Sequence, residues 1–194
     1  MTGGELASST DEHALIAGAA AGDTACFERL YSLYERRVFH YVRGFVRDIS
    51  VAEEVVVDTM LAVWDGARRF NRESRASTWI LGIARHKALD AVRRASRSGT
   101  QVSLDEAADL ATSAAGPEDL AHERTLKAAM EGAFGQLSSE HREILYLAFF
   151  EDMPYEEIAS LLSLPVNTVK TRVFYAKQKL KVEMQRHTLL ECAS

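Results

Sequence analysis

Cysteine and proline are scarce in this chain: two of the first and three of the second among 194 residues. Cys26 and Cys192 stand far apart, without His or Cys companions at ligand spacing. They read as free reduced thiols, so neither a disulfide framework nor a metal site is expected. Long apolar runs are missing too, none approaching the roughly 18 residues of a membrane span. The opening MTGGELASSTDEH lacks the basic-then-apolar layout of a secretory signal, and a cytoplasmic protein is expected. No stretch alternates apolar and polar residues as a half-buried strand would. A nucleophile–base pair, a phosphate-binding loop and a metal cluster are all missing as well. His13, His40, His122, His141 and His187 are scattered, so no enzyme, cofactor or metal is expected.

What remains is helical periodicity, and the fold class read from it is all-α. The stretch Tyr155 to Lys181 reads as a helix-turn-helix. Ile158, Leu161 and Leu162 give the first helix an apolar side, and Ser163, Leu164 and Pro165 break it. Pro165 suits a helix start, where its missing N–H is not needed. Val169, Val173, Ala176 and Leu180 then recur at helical spacing. Asn167, Lys170, Thr171, Arg172, Tyr175, Lys177 and Lys179 form the opposite, basic side. That layout suits a DNA major groove. Two amphipathic helices with a solvated basic face are the alternative on this pattern alone.

Net charge is −5, yet the cations are clustered. Nine Lys and Arg lie between Arg68 and Arg97, opposed only by Glu73 and Asp90. Lys170 to Arg186 is a second basic block, and the stretch Thr100 to Glu123 between them has six acids and no Lys or Arg. Two anion-facing surfaces in an acidic chain are implied, with other faces left for basic protein partners.

In chain order, residues 1–10 are expected to be disordered and Asp11 to Ala21 a short helix. Asp23 is placed to cap the next helix, Thr24 to Arg47. Ser50 and Glu53 have capping-box spacing for a helix Val51 to Gly66, which bears Glu53, Glu54 and Asp58. Ala67 to Ser77 reads as an arginine-rich loop and Thr78 to Arg97 as a basic helix, with Trp79, Ile80, Ile83, Ala84, Leu89 and Val92 able to be buried. A basic loop feeding a basic helix, with Trp79 at the junction, suits strand separation and phosphate tracking. A solvated helix with Trp79 in the core is the alternative. His86 and Asp90, one turn apart, read as a surface contact. Ser98 to Pro117 reads as a flexible linker, followed by helices from Pro117 to about Phe134 and Ser139 to Phe150. The expected segments are thus 1–23, a domain at 24–97, a linker at 98–117, a domain at 118–186 and a tail at 187–194.

The motifs D-I-S-V-A-E-E-V-V-V-D at Asp48–Asp58, Trp64 and T-W-I-L-G-I-A-R-H-K-A-L-D-A-V-R-R at Thr78–Arg94 resemble sigma region 2 of bacterial sigma factors of the extracytoplasmic-function group. E-I-A at Glu157–Ala159 and T-V-K-T-R at Thr168–Arg172 resemble sigma region 4. The resemblance implies a protein that binds core RNA polymerase and directs it to promoter DNA, opening the −10 element with its first domain and reading the −35 duplex with its second. By matching position, Asp48, Glu53, Glu54, Asp58 and Trp64 would dock on the clamp helices of the polymerase's largest subunit. Asn71, Arg72, Arg75 and Ser77 would capture the −10 base, beside Thr78, Trp79, Arg85, His86, Lys87, Arg93 and Arg94. Pro165, Asn167, Thr168, Lys170, Thr171, Arg172, Tyr175 and Lys177 would meet the −35 element. An anti-sigma protein is an expected partner.

The chain departs from the family's habits at several places. Val57 stands where Gln is common, Met60 where Phe is, Ala76 where a larger apolar residue is usual, and His86 where Asn is common. Ser163 replaces a frequent Gly, and Tyr175 a frequent Arg. Two other readings stay open: a DNA-binding regulator using only its C-terminal module, and a sigma-like decoy that binds a protein and no promoter.

Overall fold

The computed structural model describes residues 3–97, 130 and 132–191, with side chains at 11–97, 130 and 132–186. Every regular element among them is helical. The chain divides into two compact units, Met1–Val102 and Ser103–Ser194. The expected linker at 98–117 and most of the helix expected from Pro117 lie outside the described residues.

The first unit holds α1 (Gly3–Ala20), α2 (Thr24–Arg43), α3 (Ile49–Gly66), a 3-10 turn (Ala67–Arg69) and α4 (Ala76–Arg97). Residues 3–10, expected to be disordered, instead continue α1. Extending a helix costs far less than nucleating one, and the nucleus is firmly held. Leu15, Ile16 and Ala19 are buried. The Tyr34 hydroxyl donates to Glu12 at 2.9 Å, and Arg37 pairs with Glu12 at 3.5 Å while lying 4.4 Å over the Tyr34 ring. Gly18 lets the start of α2 cross close by: a Cβ there would sit 2.4 Å from the Cys26 sulfur.

Asp23 caps α2 as expected, accepting from the amides of Ala25 and Cys26 at 2.9 and 3.3 Å. The Cys26 thiol also donates to it at 3.2 Å. That thiol bond, then the backbone bonds, hold the Asp23 carboxyl below its ordinary range. Helix α2 stops at Arg43, short of the expected Arg47. The Arg43 guanidinium turns over the end of the helix and donates to the carbonyls of Val46 and Arg47, which satisfies the acceptors of a non-helical turn.

Asp48, and not Ser50, caps α3: its carboxylate accepts from Ser50 N–H at 2.9 Å and Val51 N–H at 3.2 Å. The expected capping box is therefore not used, because Asp is as good a cap as Ser and the helix begins at Ile49. Ala52, Val55, Val56, Thr59, Met60 and Val63 are buried. Helix α4 begins two residues before expectation, and its face is turned. Leu81, Ala88 and Ala91 join Ile80 and Ala84 in the core, while Trp79, Ile83, Leu89 and Val92 are only half-buried. An alanine stripe allows close helix approach, which the larger side chains would prevent.

In the second unit a helical stretch at 132–135 leads to Ser138, which caps α5 (Ser139–Leu145). The chain then widens into a π-helical turn at Tyr146–Phe150 where a regular α-helix was expected. Helix α6 (Tyr155–Leu162) follows, then α7 (Val166–Glu191), which extends through residues expected to form a tail. Pro154 stands at the N-cap of α6. The Pro165 carbonyl accepts from Thr168 and Val169 N–H at 2.9 and 3.1 Å. Ser163 takes φ 54°, ψ 46°, the left-handed conformation for which Gly is the usual residue. Ile144, Leu145, Leu147, Ile158, Leu162, Val169, Val173 and Ala176 are buried between the three helices. Each buried Ile, Leu or Val contributes roughly 1.5–3 kcal/mol, so this core, not surface charge, holds the helix-turn-helix.

Candidate polymerase and nucleic-acid interfaces

The solvent side of α3 carries the expected acids. Glu53 and Glu54 are exposed and Asp58 is half-buried, one turn from Glu54. Asp48 has a second occupation as the cap of α3. Trp64 does not stand free: its ring meets Phe27 of α2 edge-on at 5.0 Å. Between the acids lie Val57, noted in the sequence only as a departure from the family's common Gln, and Leu61, which sequence reasoning missed, at 48% and 55% exposure. Their i, i+4 spacing places them side by side. The face is thus an apolar pair rimmed by carboxylates.

The loop before α4 is shaped by a local hydrogen bond and one left-handed residue. The Asn71 side chain accepts from Glu73 N–H at 3.2 Å, and the exposed Arg72 takes φ 61°. Arg75 is half-buried. Ser77 and Thr78 are buried, 7% exposed each, so they line the core of the first turn of α4 and do not reach the surface. Trp79 is half-buried against Phe70, ring centres 4.9 Å apart and 33° from parallel. A Cβ on Gly66 would stand 3.3 Å from this indole, so glycine there lets the ring lie flat. Phe70, absent from the expected site, also meets His13 of α1 edge-on at 5.3 Å. Along α4, His86, Arg93 and Arg94 are exposed and Arg85 and Lys87 half-buried. Asp90 pairs with Arg93 at 2.9 Å, so the expected His86–Asp90 contact is replaced by a pair with a stronger, permanently charged donor.

On α7, Pro165, Asn167, Lys170, Thr171, Tyr175 and Lys177 are exposed, and Thr168 and Arg172 half-buried. Arg172 is drawn aside by Glu140 of α5 at 3.4 Å. So exposed a pair is worth about 0–1 kcal/mol, which makes it an orienting contact more than a stabilising one. The Lys177 ammonium lies 4.4 Å from the centre of the Phe149 ring, on another flank. His141, Tyr175, Gln178, Lys179 and Val182 line an open groove of about 520 Å³. Burial lowers the His141 pKa, with Lys179 and Arg172 adding to the effect against Glu140.

Comparison with known proteins gives this geometry a family. A model of sigma-70 region 2 matches residues 30–98, and a model of sigma-70 region 4 matches residues 127–180. Together they take up more than half of the chain. The extracytoplasmic-function RNA polymerase sigma factor SigL of Mycobacterium tuberculosis H37Rv is 29% identical over 173 residues, 89% of this chain and 96% of SigL. The chain belongs to the sigma-70 family, in its extracytoplasmic-function group. SigK of the same strain is 29% identical over 181 residues, 89% of this sigma factor and 93% of SigK. Two solved structures share its fold. CnrH in complex with the cytosolic domain of CnrY has a TM-score of 0.63 at 23% identity, over 95% of this sigma factor and 99% of CnrH. The sigma factor RpoE of Bartonella quintana, in complex with the anti-sigma factor NepR, has a TM-score of 0.64 at 22% identity, over 82% and 96% of the two chains.

Membership carries a role in transcription initiation, as a regulator that works with RNA polymerase at promoters. Region 2 takes in α3 and α4, the acidic and basic surfaces of the first unit; region 4 takes in α5, α6 and the first half of α7. No helix among the described residues is long and apolar enough to cross a membrane.

Proposed function

We propose that this sigma factor is a cytoplasmic promoter-specificity subunit whose two units divide the work on DNA. The acidic rim of α3, with Val57 and Leu61, docks on the clamp helices of the polymerase's largest subunit. The loop Asn71–Arg75 captures an unstacked base of the −10 element, with Trp79 and Phe70 as the ring stack behind it and Arg85, Lys87, Arg93 and Arg94 along the backbone of the separated strand. Extruding a base costs a few kcal/mol, which contacts in such a loop offset. Helix α7 enters the major groove of the −35 duplex. The polymerase supplies the chemistry, and the chain is not itself a catalyst. When idle it is held by an anti-sigma protein, a reading supported by the sigma factor RpoE of its fold, solved with the anti-sigma factor NepR.

One observation carries this proposal most: a single chain joins an acidic–apolar docking face and a cationic helix in one unit to a solvent-facing basic recognition helix in the other. A regulator using only the C-terminal module has no need of the first unit, and a decoy no need of an open α7 face. Run-off transcription with purified core polymerase over fragmented genomic DNA of the source cell tests it. Discrete transcripts that require the added chain are expected. Their complete absence, with no inhibitory protein present, contradicts the proposal.

A further inference from the structure

Helix α7 exposes two aromatic rings where cations were expected to dominate. Phe174 is 58% exposed and Tyr175 59%, with the rings edge-to-face at 5.5 Å. Phe174 follows Thr171 by three residues, Lys170 by four and Asn167 by seven, so all four share one side of the helix. All four are exposed, while Val169, Val173 and Ala176 are buried on the opposite side. The neighbouring cations lie to the flanks: Arg172 toward Glu140, and Lys177 over Phe149. The middle of the exposed face is therefore one amide, one ammonium, one threonine and an aromatic ridge. The Thr171 hydroxyl donates back to the Asn167 carbonyl at 2.9 Å, which leaves its methyl as the part free to face outward. Phe174 lies about 12 Å along the axis from the start of α7, within the turns that reach base edges when a recognition helix enters the major groove.

Among base edges in the major groove, thymine presents a methyl group, and apolar side chains such as Phe and the threonine methyl are its natural partners. We infer that Phe174, supported by Tyr175 and the Thr171 methyl, reads thymine 5-methyl groups in the −35 duplex. Base preference there is set by apolar contact alongside Asn167 and Lys170. Tyr175 adds ring surface beside Phe174 on the exposed side of the helix. This inference rests on the proposed reading of the second unit as the −35 reader.

The test uses the full chain bound to core polymerase and a promoter recovered by run-off transcription. Each −35 thymine is replaced in turn by uracil, which removes the methyl and nothing else. At one or two positions uracil should weaken binding about four-fold, the worth of one buried methyl group. The variant Phe174→Ala should bind thymine and uracil duplexes equally, and Phe174→Leu should recover part of the difference. Because Phe174 is exposed, the Ala variant should keep its helical circular dichroism. Indifference of the wild-type protein to uracil at every position overturns the inference, as does a Phe174→Ala variant that still discriminates. If the chain starts RNA at no promoter, the proposed function fails first and takes the inference with it.

Discussion

Ser163 shows most clearly what one residue contributes. Its left-handed backbone lets the Leu164 N–H reach the Ala159 carbonyl at 2.9 Å and closes the turn between α6 and α7. For an L-residue that conformation costs roughly 1–2 kcal/mol, and a glycine would avoid it while giving back roughly 0.5–1 kcal/mol of unfolded-chain entropy. Ser163→Gly should therefore stabilise the helix-turn-helix by about 0.5–1 kcal/mol. Native-state hydrogen exchange of the α6 amides should slow about two- to five-fold; faster exchange would show that the serine side chain matters more than its backbone. The strain at 163 was legible, because a serine stands where the family favours glycine. The cap of α3 was not: Asp48 and Ser50 are both good caps two residues apart, and only geometry chooses between them. Phe174 escaped notice because charge drew the reading of α7 toward its lysines and arginine.

At the scale of the helix, spacing revealed α2, α3 and α4 to within a few residues, since long amphipathic stripes carry a strong 3.6-residue signal; α1 begins well before its expected start at Asp11, and the 3-10 turn at Ala67–Arg69 was read as loop. The helix-turn-helix was equally plain, with Pro154 and Pro165 marking its starts. The face of α4 was misjudged because alanine gives little contrast; the larger Trp79, Ile83, Leu89 and Val92 drew the expected core away from the Ala84–Ala88–Ala91 line. The π turn at Tyr146–Phe150 has no sequence signature that periodicity can see. Helix α3 offers the sharpest prediction at this scale. Glu54→Arg together with Asp58→Arg should reduce co-purification with core polymerase at least about ten-fold, as like charges replace a complementary rim. The helical signal should stay unchanged, since the α3 core lies on the opposite side. Undiminished co-purification would reject α3 as the docking face.

For the molecule as a whole, the order of region 2 and region 4 and the all-α architecture were legible from motif and composition together. Site residues were harder, because a position matched to a family motif does not say whether a side chain faces water. Ser77 and Thr78 are inside, Trp64 leans on Phe27, and Arg172 is drawn to Glu140. The surfaces that remain open are an acidic–apolar one and a cationic one on the first unit, and a polar–aromatic one on the second. On the proposed reading, these moor the chain to polymerase, hold a separated strand and grip an intact duplex. The most direct measurement of that division places 2-aminopurine, whose fluorescence rises when it unstacks, at the −10 or the −35 position of a recovered promoter. With core polymerase and this chain, emission should rise at the −10 probe and stay flat at the −35 probe, and core alone should change neither. A bound complex with no rise at −10, or with a rise at −35, would contradict the account.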